Sequence, residues 1–150
     1  MKLVSKTKEF NKTAGVPVKD SFGYPTEENF KLQLSLIKEE LDETEEAFKN
    51  KDSVEVLDGL ADTLYVLSGL VNLFGLDDKM EEAIERVHES NMSKFPKSYE
   101  EAIRTVDKYK NSNVNCHMVS RGESKVVVRD DGKILKSINY KPVYLVDLVK

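Results

Sequence analysis

The sequence lacks the features that mark secreted and membrane proteins. Cys116 is its one cysteine among 150 residues, so neither an intramolecular disulfide nor a thiolate metal cluster can form. The N-terminal stretch MKLVSKTKEFNK contains no apolar core long enough for a signal peptide. The longest apolar window, residues 64–76, is interrupted by Ser68 and Asn72 and is shorter than the roughly 20 residues that a bilayer requires. We therefore expect a cytoplasmic protein with no membrane partner.

An excess of positive charge is also absent. The net charge of −4 disfavours non-specific binding to a nucleic-acid backbone, so we expect no nucleic-acid partner. The composition, 39% hydrophobic and 33% charged, is normal for a soluble globular protein and too apolar for wholesale disorder. The length is that of one domain and no internal repeat is visible, which predicts a single domain over residues 1–150.

Helical periodicity dominates the chain after residue 25. The preceding residues are punctuated by glycine and proline and predict irregular structure. Thr26 and Asp52 are suitable N-caps, Gly75 is a suitable C-cap, and Asp77 or Asp78 can cap a further helix. The predicted helices are at about 26–50, 52–74 and 78–90. They form a helical core over about 26–95.

The C-terminal part, about 97–150, is predicted to be a less regular appendage. Ser98 and Glu101 form a capping box that begins a short helix through about Lys110. Residues 125–129 are rich in β-branched side chains, and the Asp131-Gly132 turn signal separates them from residues 134–135. The pattern therefore predicts a mainly α fold with a small C-terminal β-hairpin and an irregular tail.

Carboxylates recur at helical spacing on the first two predicted helices. A short connection makes these helices antiparallel neighbours, which brings the two acidic sets to a similar height. Residues three or four apart share one side of a helix, so four or five carboxylates would converge. The acidic residues are Glu39, Glu40 and Glu43 on the first helix and Asp58 and Asp62 on the second.

Such a cluster requires compensation, because like charges this close repel one another. An oxygen-only ligand set favours Mg²⁺ or Mn²⁺, and carboxylate-held Mg²⁺ usually keeps positions open for phosphate oxygens. The predicted ligand is therefore a phosphorylated small molecule. A solvated helix face explains Glu45 and Glu46 more simply. It does not explain Asp62, which follows Leu60 and Ala61 well inside an apolar segment.

Several motifs in order carry a resemblance that covers most of the chain. They resemble the all-α nucleoside triphosphate pyrophosphohydrolases, a superfamily that includes MazG, dimeric dUTPase and phosphoribosyl-ATP pyrophosphohydrolase. The similarity is strongest to MazG-like and phosphoribosyl-ATP-pyrophosphohydrolase-like single-domain proteins, many of them from bacteria and phages. Residues about 97–124 are not matched. The motifs are KEFNKTAGVP (8–17), EELDE (39–43), DGLADTLYVLSGL (58–70), VHESNMSKF (87–95) and DGKILKSINY (131–140).

The resemblance implies an antiparallel helical bundle that is completed by oligomerisation. It also implies Mg²⁺-dependent cleavage, with Mn²⁺ possible, of an NTP or dNTP to the monophosphate and pyrophosphate. The implied metal ligands are Glu40, Glu43, Asp58 and Asp62. The implied catalytic residues, which orient or deprotonate the attacking water, are Glu39 and Glu43. The implied substrate-binding residues are Asn91, Lys94, Lys133 and Lys136.

Two positions depart from the pattern of the relatives. Gly59 stands where the superfamily has a glutamate three residues before Asp62, and Asp58 shares the required helix face and can take its place. Asn11 stands where relatives often have histidine.

Other functions stay open at the level of sequence. Hydrolysis of an alarmone or a phosphoribosyl nucleotide would use the same scaffold, and a non-catalytic helical interaction protein is a further alternative. A di-iron carboxylate protein is disfavoured, because it needs two Glu-x-x-His pairs and Glu85 with His88 is the one that fits. Because residues 58–76 are apolar around most of the helix, we also expect association into a homodimer or homotetramer.

Overall fold

The computed structural model describes residues 2–150. They contain five α-helices, one two-stranded sheet and one 3₁₀ turn, so the prediction of a mainly helical fold with a small hairpin is confirmed. The chain divides into two compact units, Met1–Glu81 and Glu82–Lys150. Among these residues, no helix is both long and apolar enough to cross a membrane. The elements are α1 (Lys2–Ala14), α2 (Glu27–Asn50), α3 (Ser53–Phe74), α4 (Met80–Met92), α5 (Tyr99–Lys110), β1 (Cys116–Arg121), β2 (Ser124–Arg129) and the 3₁₀ turn Val146–Leu148.

Helix α1 corrects the prediction that residues 1–25 are irregular. The glycine and proline residues begin at position 15, so the residues before them are free to form a helix. The buried face of α1 consists of Val4, Thr7 and Asn11, two of which are polar. A helix with so few apolar residues on its buried face gives little hydrophobic periodicity, which is why the pattern did not reveal it.

Helices α2 and α3 begin and end where capping chemistry predicts. The hydroxyl of Thr26 accepts a hydrogen bond from the backbone N–H of Asn29, and the carboxylate of Asp52 accepts from those of Val54 and Glu55. Only Lys51 and Asp52 connect the two helices, so α2 and α3 run antiparallel and pack along each other. This arrangement confirms the predicted pair of antiparallel neighbours.

The C-terminal half of α3 is the centre of the first unit. The buried Asn72 side chain donates to the carbonyl of Val4 and to the hydroxyl of Thr7, both at 3.0 Å, and so attaches α1 to α3. At the end of α3, Gly75 has a φ of 67°. A Cβ there would overlap the backbone of Ser21 and lie 2.9 Å from the side chain of Lys19. Glycine is therefore required at position 75 both by the left-handed backbone and by the close chain beside it.

The second unit combines α4 and α5 with the hairpin. The predicted capping of α5 is confirmed, because the backbone N–H of Glu101 donates to the Ser98 hydroxyl at 3.1 Å. Helix α4 begins at Met80 rather than directly after Asp77 or Asp78. The apolar core of this unit is formed by Ala102, Cys116, Val127 and Leu135.

The predicted hairpin forms only in part, and the main strand pairing is with the segment that precedes it. Strand β2 pairs antiparallel with β1, the segment before it, with Cys116 opposite Arg129. The predicted partner segment contributes one isolated bridge, between Val128 and Ile134. Strand β1 reads CHMVSR, whose polar residues hide the strand pattern. The chain does reverse at the predicted Asp131-Gly132 turn, where Gly132 has a φ of 86°.

Candidate functional site

The five predicted carboxylates lie on α2 and α3, close to the connection between these helices. Glu40 is half-buried, whereas Glu39, Glu43, Asp58 and Asp62 are exposed in the single chain. The antiparallel pairing and the two-residue connection place the end of α2 beside the start of α3. The i,i+4 spacing within each helix then points the two acidic sets to one region of the surface.

The pKa of Glu40 responds to its burial and to the other four carboxylates. Burial raises the pKa of its carboxyl, and the negative charges of Asp62, Glu43, Glu39 and Asp58 raise that pKa further. Within residues 2–150, none of the five carboxylates forms an ion pair with a lysine, arginine or histidine. The five residues therefore lie in one region of α2 and α3, where the other four charges act on Glu40 and none of the five is compensated by a described cation.

Gly59 gives a physical reason for one departure from the superfamily pattern. It is buried where α3 meets α2, and a Cβ at this position would overlap Thr44 Oγ1 and lie 3.3 Å from Thr44 Cα. The Thr44 hydroxyl donates to the backbone carbonyl of Glu40 at 2.8 Å. A glutamate at position 59 would collide with α2 at this point. The acidic side chain of the neighbouring Asp58 is free of that contact and exposed.

The donor chemistry of the cluster fits a hard divalent cation. All of its side chains offer carboxylate oxygens, and the cation would neutralise the charge that raises the pKa of Glu40. In the described part of the chain, however, no three acidic, histidine or cysteine side chains are already gathered closely enough to hold an ion. Rotation of the exposed side chains is needed to close a ligand cage around a metal.

The surroundings of Asp62 differ from those that its sequence suggested. The apolar stripe of α3 is 45–70% exposed in the single chain, and Asp62 itself is exposed. At 100° per residue this stripe lies on the side of α3 opposite to Asp58 and Asp62. Asp58 and Asp62 instead share the side of α3 that carries the buried residues Gly59, Gly69 and Leu73, in the N-terminal half of the helix, where their side chains remain exposed. The stripe consists of Leu57, Leu60, Leu64 and Leu67.

Three of the four predicted substrate-binding residues come together in the second unit. Lys94 Nζ donates to Asn91 Oδ1 at 2.6 Å, and the Lys94 carbonyl accepts from the backbone N–H of Ser137, next to Lys136. Lys133 instead lies exposed at the Asp131 turn, where its backbone N–H donates to the Asp131 carboxylate.

Sequence reasoning missed two polar residues in the same place. Ser90 Oγ and Tyr140 Oη form a hydrogen bond at 3.2 Å, and Lys136 Nζ lies 4.3 Å from the centre of the Tyr140 ring. Both residues belong to the quoted motifs VHESNMSKF and DGKILKSINY. The motifs therefore contained both residues. They did not reveal that the two segments, about fifty residues apart, contact each other.

Comparison with known proteins assigns the chain to a family. Residues 7–91 match the family described as phosphoribosyl-ATP pyrophosphohydrolase, which is more than half of the chain. The chain belongs to the phosphoribosyl-ATP pyrophosphohydrolase family. The matched segment contains all five carboxylates and Asn91, and it ends before Lys94. Membership confirms the superfamily and the fold type that the motifs suggested.

A viral protein extends the similarity beyond the matched segment. An uncharacterized protein of Acanthamoeba polyphaga mimivirus is 35% identical to this chain over 133 residues. The alignment covers 79% of this chain and 53% of the relative, so the chain spans about half the length of the relative.

The family defines the class of chemistry. Phosphoribosyl-ATP pyrophosphohydrolases are hydrolases that act on phosphoanhydride bonds, which is the enzyme class that the sequence predicts. Enzymes of this kind typically use a divalent metal, which agrees with the oxygen-only donor set of the carboxylate cluster.

Proposed function

We propose that this protein is a divalent-metal-dependent nucleotide pyrophosphohydrolase that cleaves an NTP or dNTP to the monophosphate and pyrophosphate. The observation that carries the proposal is the position of Glu40, a half-buried carboxylate whose pKa is raised by burial and by the negative charges of four nearby carboxylates, with no compensating cation among the described residues. The cluster lies in the segment that matches the phosphoribosyl-ATP pyrophosphohydrolase family. A site with this charge is suited to a cation that in turn binds a polyphosphate.

The residues of the cluster have separate roles in this proposal. Glu40, Glu43, Asp58 and Asp62 would hold Mg²⁺ or Mn²⁺. The metal, when bound, supplies positive charge that orients the phosphoanhydride and stabilises the charge that develops on it. Glu39 or Glu43 accepts the proton of the attacking water as its oxygen bonds to phosphorus and the bridging P–O bond breaks. The pyrophosphate then leaves with the bridging oxygen.

A second candidate substrate is phosphoribosyl-ATP. The name of the matched family favours it, and the same bond is broken, with pyrophosphate as a product. Alarmones carry phosphoanhydride bonds as well and belong in the same comparison of substrates. None of these substrates requires a different set of carboxylates, so the choice among them depends on groups that contact the base and the sugar.

A screen of pyrophosphate release tests the proposal. Purified protein is assayed with NTPs, dNTPs, modified nucleotides, an alarmone and phosphoribosyl-ATP, each with Mg²⁺ and with Mn²⁺. We expect metal-dependent release from at least one nucleotide, and loss of release in Asp62→Asn and Glu43→Gln. Asp42→Asn is the matched control, because Asp42 is an exposed carboxylate on the same helix outside the cluster.

The outcomes of this screen separate the alternatives. Retained activity in Asp62→Asn would remove Asp62 from the site. Absence of release from every substrate with either metal, in protein that is shown to be folded, would instead favour a non-catalytic helical interaction protein.

We further propose that the protein associates into a homodimer or homotetramer. The exposed leucine stripe of α3 supports this, because leucines at this exposure lose little of their apolar surface within the single chain. Burying the stripe against a second copy would complete the helical bundle and leave the opposite, acidic side of α3 open to the nucleotide.

A further inference from the structure

Residues 141–150 lie along one side of α4 and bury little of their own surface. We call this segment the strap. Among its residues no side chain is buried, and only Leu145 and Leu148 are half-buried. Burial of apolar surface, which fixes most segments of a folded chain, therefore contributes little to holding the strap in place. The apolar side chains of the strap that are 40–60% exposed are Val143, Tyr144, Val146 and Val149.

Hydrogen bonds attach the first residue of the strap to α4 and its neighbouring turn. The backbone N–H of Lys141 donates to Ser93 Oγ at 2.9 Å, and the Lys141 carbonyl accepts from the Ser90 hydroxyl at 2.8 Å. Pro142 follows, and proline has no N–H with which to extend this pairing. The chain can therefore hinge at Pro142 while Lys141 stays attached.

Arg86 on α4 holds the far part of the strap. Its Nη1 donates to the Tyr144 carbonyl at 2.9 Å and to Asp147 Oδ1 at 2.7 Å, and its Nη2 donates to Asp147 Oδ2 at 2.8 Å. A guanidinium that donates to both oxygens of a carboxylate fixes the orientation of that carboxylate as well as its distance. One side chain of α4 therefore sets the position of the 3₁₀ turn that contains Asp147.

Between these two attachments the strap stands away from the helix. A cavity of about 360 Å³ lies between Arg86, Glu89 and Ser90 on α4 and Pro142 and Val143 on the strap. Protein interiors are normally close-packed and contain few voids of this size. The strap is therefore joined to α4 at two places and is loosely packed between them.

The charges that hold the strap are accessible to solvent. The side chains of Arg86 and Asp147 are 28% and 47% exposed. Glu82, one turn earlier on α4, also accepts a hydrogen bond from Arg86 Nη2. The hydrogen bond from Arg86 lowers the pKa of the Asp147 carboxyl, so this carboxylate is ionised at neutral pH. Ion pairs with this exposure contribute little free energy and are screened by salt.

We propose that Arg86 and Asp147 form a latch, and that the strap opens and closes about Pro142 while the rest of the second unit stays folded. Opening separates the two walls of the cavity and exposes the side of α4 that contains Arg86, Glu89 and Ser90. The latch therefore controls the access of other molecules to this side of the helix. It does not depend on hydrolysis at the carboxylate cluster, so it extends beyond the proposed function.

NMR of the full chain tests the latch. The amide chemical shifts and heteronuclear NOEs of residues 146–148 are measured at low and at high NaCl concentration. We expect these amides to have values of an ordered segment at low salt and to move towards those of an unstructured chain as salt is added, because salt screens the exposed ion pair. The amides of Ala102 and Val127, which belong to the core of the same unit, should not change.

Variants of the two latch residues identify the contact. Asp147→Asn should raise the ratio of open to closed strap roughly twofold to fivefold, the range expected for the loss of an exposed ion pair. Arg86→Gln should raise it further, because it also removes the hydrogen bond to the Tyr144 carbonyl. In the Arg86→Gln background, Asp147→Asn should have no additional effect, since its partner is already gone.

Glu82→Gln is the matched control. Glu82 contacts the same guanidinium but lies on α4 rather than on the strap, so this variant should leave the ratio of open to closed strap unchanged.

Three results would overturn the proposal. Identical signals of residues 146–148 in the parent protein, Asp147→Asn and Arg86→Gln would show that no latch exists. Values of an unstructured chain in the parent protein at low salt would show that the strap has no closed state. Changes in Ala102 and Val127 as large as those in the strap would show that the unit unfolds as a whole instead of opening at Pro142.

Discussion

At the scale of single residues, the acidic cluster acts on the pKa of Glu40, which burial and the neighbouring negative charges raise. Its pKa is raised in the folded chain, so the folded state binds this proton more tightly than the unfolded state does. Stability therefore falls as the pH rises through the interval above the ordinary value of 4.5. Ionisation of Glu40 as the pH rises therefore destabilises the fold when no metal is bound.

Replacing this carboxylate should raise stability. We expect Glu40→Gln to have a higher Tm than the parent protein at pH 7 in EDTA, with a difference that shrinks as the pH is lowered towards 4.5. Thermal melts across this pH range measure it. Glu46→Gln removes an exposed carboxylate from the same helix and serves as the control. A Glu40→Gln protein that is no more stable than the control would show that the cluster does not strain the fold.

At Gly59 the two acidic helices approach closely, because a Cβ there would lie 3.3 Å from Thr44 Cα. Gly59→Ala places a methyl group against Thr44 Oγ1, and overpacking of this kind typically costs about 1–3 kcal/mol. The better helix propensity of alanine offsets at most about 1 kcal/mol of that loss. We therefore expect a net decrease in the free energy of unfolding, measured by urea denaturation.

A double-mutant cycle identifies the contact. Thr44→Ala removes the hydroxyl that the new methyl group would meet, so Gly59→Ala should cost less in that background. If the losses of the two single variants simply add in the double variant, the contact with the Thr44 hydroxyl is not the cause of the destabilisation.

Some residues of the site were visible in the sequence and others were not. The i,i+4 spacing of Asp58 and Asp62 is a local pattern, so it predicted a shared helix face directly. The contact of Gly59 with Thr44 and the hydrogen bond of Ser90 with Tyr140 join residues far apart in sequence. No periodicity encodes such pairs, because they depend on how elements pack.

At the scale of elements, capping determined which boundaries were predictable. Thr26, Asp52 and Ser98 each accept backbone hydrogen bonds at a helix start, and each start was predicted. Helix α1 was missed because its buried face includes Thr7 and Asn11. Strand β1 was missed because its pairing with β2 is not visible in a sequence as polar as CHMVSR.

The Asp52 cap stabilises the start of α3, the helix that carries Asp58 and Asp62. Asp52 ends the two-residue connection that sets the register of α2 against α3, and its Oδ1 accepts from two backbone N–H groups. Asp52→Ala should lower the free energy of unfolding by about 1 kcal/mol, the usual cost of losing an N-cap. Chemical denaturation measures the loss. Asp52→Asn, which keeps a capping oxygen, is expected to recover most of it, and a loss as large as that of alanine would argue against the capping role.

At the scale of the whole molecule, the feature that needs explanation is the exposure of the leucine stripe of α3. The buried face of this helix contains small and polar residues such as Ser68, Gly69 and Asn72, whereas Leu60 and Leu64 are exposed. This distribution is the reverse of that expected for a helix that is stable in a monomer. A second copy that covers the stripe would restore the usual burial of apolar surface.

Association is therefore the prediction that belongs to this scale. Light scattering at micromolar concentration should give the mass of a dimer or tetramer, and Leu64→Glu should reduce it, because a buried glutamate without a partner is costly in an apolar interface. Val143→Glu changes an exposed apolar residue of the second unit and should leave the mass unchanged. A parent protein that scatters as a monomer would refute the association. A Leu64→Glu protein that keeps the parent mass would place the interface on another surface.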